Sequence, residues 1–203
     1  MRLILASNSK RRKDLFKMIG WKYDVITSDI DENSSKTEPE QYVIELSVNK
    51  AKSVSNKVNG KAIIISADTI VHFEGKIIEK PKSKQEAFNS IKSMVGKSTY
   101  AVTGVTIMDL YKNITVSFAD KTEVILRDDI TDDDIKWYVE NEKSLLDVSG
   151  YALLGKGAIF LKKVNGDYNT LFGISPSLIY YKLKELGYSI NDFEFEDKVK
   201  ICT

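Results

Sequence analysis

The stretch Ala62 to Ser66 constrains this chain more than any other. It is a continuous apolar run too short for a buried helix and without the alternation of a half-wet strand. The pattern is that of a strand covered on both faces, as in parallel sheets. Such a strand needs a layer above it and a layer below it, which points to an α/β architecture.

The flanking sequence supplies those layers. Arg2 to Ala6 reads as a short apolar strand, followed by a helix to about Met18 that Gly20 closes. Trp21 to Thr27 reads as a second strand, and Pro39 opens a helix to about Val58. Beyond Ala67-Asp68-Thr69, Val71 to Phe73 and Lys76 to Ile78 form a hairpin about Glu74-Gly75. Ser83 to Glu86 is a capping box, and two long β runs follow, Tyr100 to Asp109 and Ile114 to Arg127. Thr131 to Asn141 reads as a helix with an acidic first turn, and Ile159 to Val164 as a strand ending in a hairpin turn at Asn165-Gly166. Ser175-Pro176 caps a last helix reaching Gly187. The expectation is a single domain over 1–203, a mixed and largely twisted sheet flanked by helices, with two lobes around a central cleft. The tail 188–203 has no assigned role.

Bulk properties narrow the function. With 30 basic and 29 acidic residues the formal net charge is +1, so no global field steers the chain to nucleic acid or a membrane. One cysteine, Cys202, excludes a disulfide framework and a cysteine zinc site within one chain. No apolar stretch suits a signal peptide or a membrane span, so a cytoplasmic protein is expected.

Five places carry chemistry. Ser7-Asn8-Ser9-Lys10-Arg11-Arg12 lies at a strand-to-helix junction, where free backbone N–H groups and the helix dipole suit a phosphate. The chain has 26 lysines and four arginines, and two of those four are adjacent here. That choice favours planar, bidentate donors. The plainer alternative is an ordinary N-cap followed by exposed basic residues. Lys50 falls on the apolar stripe of its helix with Val43, Leu46, Val54 and Val58, so it either meets an anion or snorkels along the core edge. Asp68 ends the buried strand, where ligands of parallel sheets collect, although an aspartate leaving a strand is also common turn chemistry. Asp29, Asp31 and Glu32 form an acidic run that reads first as a solvated loop, and Lys80-Pro81 is a weak cation signal before a helix cap. His72, the only histidine, reads as a strand residue, and the glycines at 155 and 157 match no phosphate-loop pattern.

Taken in order, these pieces resemble the Maf family of nucleoside triphosphate pyrophosphatases. Leu3-Ile4-Leu5-Ala6-Ser7-Asn8-Ser9-Lys10-Arg11-Arg12 is similar to the family's L-I-L-A-S-x-S-P-R-R, and Ile30-Asp31-Glu32 to its V-D-E. Lys50-Ala51 resembles its helical K-A, Ser66 to Val71 its G-A-D-T-x-V, and Glu79-Lys80-Pro81 its G/E-K-P. Val102 to Val105, Lys121 to Val124, Gly166-Asp167-Tyr168 and Gly173-Ile174-Ser175 come next in the same order, so the likeness spans roughly residues 2 to 187.

The resemblance implies an α/β fold of the Maf and ITPase kind and hydrolysis between the α- and β-phosphates, giving a nucleoside monophosphate and pyrophosphate. It implies a divalent cation, Mg²⁺ or Mn²⁺, held by Asp68 and Glu32, with Asp68 as the catalytic carboxylate and Glu32 assisting the metal or the water. Ser7, Arg12, Lys50 and Lys80 would bind phosphates, and a homodimer without nucleic-acid or membrane partners is implied. One branch, associated with dTTP and UTP, carries the equivalents of Arg11 and Thr69, where a 7-methyl-GTP branch carries Trp and Glu. The chain departs from the pattern at Lys10, which replaces a Pro. It also departs over Asp147 to Gly157, which is one residue shorter and lacks, at Tyr151 to Leu154, the Gln tied to base recognition. A nucleotide-binding regulator with little or no turnover is the alternative function.

Overall fold

The computed structural model describes residues 1–30, 33–148 and 155–196. Among them are seven strands in one mixed sheet and five α-helices. The strands are β1 (Leu3–Leu5), β2 (Asp24–Val25), β3 (Ile63–Phe73), β4 (Lys76–Ile78), β5 (Ser98–Asp109), β6 (Ile114–Leu126) and β7 (Leu161–Asn165). The helices are α1 (Lys10–Ile19), α2 (Pro39–Ser55), α3 (Lys84–Met94), α4 (Asp132–Asn141) and α5 (Pro176–Glu185). The sheet order is β2-β1-β3-β5-β6-β7, with β4 also paired to β3. No helix of the described residues is long and apolar enough to cross a membrane.

The chain divides into two compact units, Met1–Asp68 with Thr103–Asp120 and Phe172–Thr203, and Thr69–Val102 with Lys121–Leu171. In the first unit, β1 runs parallel to both β2 and β3. The doubly buried strand is as expected: Ala62 and Ile63 to Ile65 are wholly inaccessible. Strand alternation splits their side chains between two cores. Leu3, Leu5, Ile63, Ile65 and Ala67 pack with Leu15 and Phe16 of α1 and Ile179 and Leu183 of α5. Ile4, Ala6 and Ile64 pack on the other face with Val54 of α2. Each large apolar side chain among them contributes about 1.5–3 kcal/mol of burial.

The tail is also part of this unit. Trp21 bridges Phe195, flanked by Lys22 N–H donating to the Glu194 carbonyl at 2.9 Å and Glu196 N–H to the Gly20 carbonyl at 2.7 Å. Tyr188 and Phe193 enter the core beside Trp21. The expected strand Trp21 to Thr27 is therefore shorter. β1 has only three residues, so its parallel partner finds two register positions, and residues 20–22 pair with the tail instead.

The second unit has its own core, centred on Ile91 and Met94 of α3, Ile135 and Tyr138 of α4, Val124 and Leu126 of β6, and Phe160. Ser83 caps α3 by accepting from Glu86 N–H, and Thr131 and Asp134 form a reciprocal capping box on α4. Two turn expectations change here. β3 does not stop near Asp68, because β4 pairs with its far end from Val71 to Phe73 and keeps it extended. The turn between them has positive φ at both Glu74 and Gly75, as a two-residue hairpin of this twist requires. Asn165-Gly166, in contrast, opens no hairpin: β7 ends there, antiparallel to β6, and a 3-10 turn over Tyr168–Phe172 comes next. A Cβ on Gly166 would stand 2.6 Å from Thr122 Oγ1, so close approach to β6 demands this glycine.

Candidate functional site

The site is built on the C-terminal end of β1 and the neighbouring stretch of β3. Ala6 N–H still bonds to the Ile65 carbonyl, and Ser7 comes next as the chain turns toward α1. Continuing the β1–β3 register, in which Leu5 faces Ile65, sets Ser7 opposite Ala67 and next to Asp68. The turn and Asp68 thus share one end of a parallel strand pair, the usual place for ligands in such sheets.

Ser7 is buried, and its Oγ accepts twice, from Ser9 N–H at 3.2 Å and from Arg12 Nη1 at 3.2 Å. A hydroxyl has two acceptor lone pairs and one donor hydrogen. With both lone pairs engaged, the Ser7 O–H is left to donate, and it has no acceptor among the described residues. Ser9, the N-cap of α1, makes no side-chain cap bond, and the first turn carries no acidic residue. The positive end of α1 is therefore not neutralised by its own cap. Arg12 is buried, with Nε donating to the Gly173 carbonyl at 2.8 Å. Arg12 is thus not an exposed basic residue of the first turn.

Lys50 and Asp68 meet in the structure. Lys50 Nζ lies 2.6 Å from Asp68 Oδ1, with side chains 8% and 11% exposed. The lysine does not snorkel, and the aspartate is not in a turn but within β3. Asp68 Oδ2 accepts no hydrogen bond from the described residues, so one carboxylate oxygen is tied and the other is open to chemistry.

The seat of α2 makes this pairing possible. Residues 43, 47, 50 and 54 lie on one face of the helix, and all are buried. A Cβ on Gly104 of β5 would stand 2.3 Å from the Val43 carbonyl carbon and oxygen, so the helix backbone rests directly on the strand. Beneath it, Ser66 Oγ donates to the Ser47 carbonyl at 2.6 Å, and the hydroxyls of Ser47, Thr106 and Ser117 form a chain with separations of 2.8 and 2.9 Å. Sequence reasoning missed these supports, though a glycine inside a strand pattern is a known sign of close backbone approach.

The remaining expected residues are spread over both units. Arg11 is half-buried in the first turn of α1; Thr69, next to Asp68 on β3, is half-buried. Lys80 belongs to the second unit and is exposed, lining a shallow hollow with Glu79, Lys82 and Glu86 at the start of α3. Glu32 and Asp31 lie outside the described residues, as do Tyr151 to Leu154. The segments beside residues 31–32 are tied to α2 and the turn after it: Lys57 Nζ bonds the Thr27 carbonyl at 2.9 Å and Asp29, and Ser34 bonds Glu45. Among the described residues no group of three or more His, Cys, Asp or Glu could hold a metal ion. A hollow of about 270 Å³ at Arg127, Asp128, Asp129 and Lys162 is occupied by its own ion pairs, Arg127–Asp129 and Lys162–Asp128.

Residues 2–186 match the family described as Maf-like protein. The chain is 34% identical over 189 residues to a dTTP/UTP pyrophosphatase of Fusobacterium nucleatum, covering 93% of this chain and 97% of that protein. It is 37% identical over 184 residues to a dTTP/UTP pyrophosphatase of Thermoanaerobacter sp. strain X514, covering 91% and 96%. Among solved structures, a HAM1 protein from Coxiella burnetii is similar with a TM-score of 0.50 over 91% of this chain and 99% of that one. At 11% identity this likeness speaks for the fold alone.

Proposed function

The chain belongs to the Maf-like family, and from that premise we propose that it hydrolyses nucleoside triphosphates between the α- and β-phosphates, with dTTP and UTP as preferred substrates. The observation that carries the reading is the buried Lys50–Asp68 pair beside the Ser7–Arg12 turn. The names of the relatives support the substrate class.

The residues divide the work. The Ser7 hydroxyl, the Arg12 guanidinium and the uncapped start of α1 hold phosphate oxygens through charge-assisted hydrogen bonds. Lys50 and Lys80 supply positive charge against the negative charge that builds on the leaving group. Asp68 Oδ2 orients a water and takes its proton as the water oxygen attacks the α-phosphorus. The bond from that phosphorus to the bridging oxygen breaks, and pyrophosphate departs. Lys50, bonded to Oδ1, occupies that oxygen and leaves Oδ2 to meet the water.

A divalent cation, Mg²⁺ or Mn²⁺, fits this donor set. Mg²⁺ is held through one or two carboxylates together with substrate phosphates and needs no dedicated protein cage. Asp68 would supply one carboxylate and Glu32 the other. When bound, the cation neutralises phosphate charge and polarises the α-phosphate. Arg11 and Thr69 set the preference for pyrimidine bases. Action as a cytoplasmic homodimer, without nucleic-acid partners, belongs to the same reading.

A panel of nucleoside triphosphates with Mg²⁺ tests it, with products resolved as pyrophosphate or orthophosphate. Pyrophosphate from UTP and dTTP, lost in Asp68→Asn, is expected. Release of orthophosphate alone, or tight binding without turnover under any divalent cation, would overturn it.

A further inference from the structure

Arg12 owes its orientation to a residue 161 positions away. Its Nε donates to the Gly173 carbonyl at 2.8 Å, and this bond is buried. A guanidinium is a planar fork with its donors at fixed angles. With Nε–H on Gly173 and an Nη1–H on Ser7 Oγ, two points of the fork are set and its plane is determined. Whatever phosphate oxygen Arg12 grips must lie in that plane.

The acceptor depends on an unusual backbone. Gly173 has φ 86°, in the left-handed region that glycine enters freely, asparagine less readily, and β-branched residues rarely. Its two successors in the chain are firmly held. Ile174 is wholly buried in the first unit's core, and Ser175 is the N-cap of α5, its Oγ accepting from Leu178 N–H at 3.3 Å. The chain therefore cannot relieve a disturbed Gly173 by shifting Ile174 and Ser175. A strained residue at 173 must instead rotate its own peptide and take the carbonyl off Arg12.

We infer that Gly173 is a positioning residue for substrate binding: its left-handed backbone turns a carbonyl onto Arg12 and so sets the guanidinium that grips the phosphate chain. This rests on the reading of Arg12 as a phosphate ligand. A glycine that only eases the turn into α5 would affect stability and leave anion affinity alone.

The test compares wild type, Gly173→Val, Gly173→Asn, Arg12→Lys and the double variant Arg12→Lys/Gly173→Val. Inorganic tripolyphosphate binding is measured by calorimetry, and kcat and KM by pyrophosphate release from UTP. Gly173→Val weakens tripolyphosphate binding and raises KM by about tenfold, the scale of one charge-assisted contact, with kcat within about threefold. Gly173→Asn, which tolerates the left-handed region, stays near wild type in both. In the Arg12→Lys background, where the fork is gone, Gly173→Val costs no more than about twofold further. Equal affinity of Gly173→Val and wild type overturns the inference, as does a full loss from Gly173→Val in the Arg12→Lys background. Wild type that binds tripolyphosphate but turns over no nucleotide sinks the enzymatic reading alone. Wild type that binds no tripolyphosphate removes the anion site and the inference with it.

Discussion

Lys50 of α2 and Asp68 of β3 are joined by a 2.6 Å ion pair almost wholly withdrawn from water. Withdrawal makes the pair a poor source of stability and a sensitive one. Two charges lose their hydration to form it, and removing one partner strands the other. Asp68→Asn is therefore expected to abolish pyrophosphate release and to cost about 3 kcal/mol of folding stability. The double variant Lys50→Met/Asp68→Leu is expected to regain most of that stability while staying inactive, since apolar groups of similar size replace a buried pair at little cost. Urea denaturation alongside the assay separates the two effects. Activity in the double variant would show that the pair is structural.

Gly104 is the second sensitive point, through geometry rather than charge. An alanine there meets the Val43 backbone at 2.3 Å, and backbone cannot turn aside as a side chain can. The helix must lift or the strand must shift, with an overpacking cost of about 1–3 kcal/mol. Because α2 also carries Lys50, kcat is expected to fall beyond what the stability loss explains. Gly60→Ala is the control: its φ of 86° adds strain, but its Cβ meets nothing within 4 Å. Equal kcat in the two variants would remove any link between the helix seat and the site.

How far these features are legible in the sequence depends on the range of the forces that make them. The Ser7–Arg12 turn and the stripe containing Lys50 are local patterns, and the structure brings Ser7 and Arg12 into contact and pairs Lys50 with Asp68. The continuation of β3 to Phe73 was not legible, because it depends on a partner, β4, beyond the point where β1 ends. Asn165-Gly166 misled because one residue type answers two needs: a glycine can permit a turn or make room for a neighbouring strand. At Gly166 the neighbour, Thr122, decides. Gly173 and Gly104 were visible as motif residues, but their roles need partners 161 and 61 positions away.

The tail carries a prediction about stability. Tyr188 and Phe193 are buried against Trp21, and Tyr188 O–H donates to Asp109 Oδ2 at 2.7 Å. Ending the chain at Gly187 removes both rings and the strand-like pairing to residues 20–22. At about 1.5–3 kcal/mol for each buried aromatic, the loss is a large part of the roughly 5–15 kcal/mol that holds a typical domain folded. A large fall in the melting temperature is expected. An unchanged melting curve would mean that the tail rests on a core that stands without it.

Ser7 offers the most direct check on the direction of binding. Its Oγ accepts from Ser9 N–H and Arg12 Nη1, so toward a ligand it can only donate. A donor suits a phosphate oxygen and not a cation, which needs lone pairs that Ser7 has already used. Ser7→Ala is accordingly expected to raise KM for UTP about tenfold, the scale of a hydrogen bond to a charged group. The concentration of Mg²⁺ giving half-maximal rate, measured at saturating nucleotide, is expected to stay as in wild type. Some of the KM effect will come from Arg12, which loses its bond to Ser7 Oγ. Gly173 still holds the Nε–H, so the guanidinium stays buried, and kcat is expected to change less than KM. A shift in Mg²⁺ dependence with KM unchanged would reverse the assignment, making Ser7 a metal ligand and the two hydrogen bonds a feature of the unliganded site only.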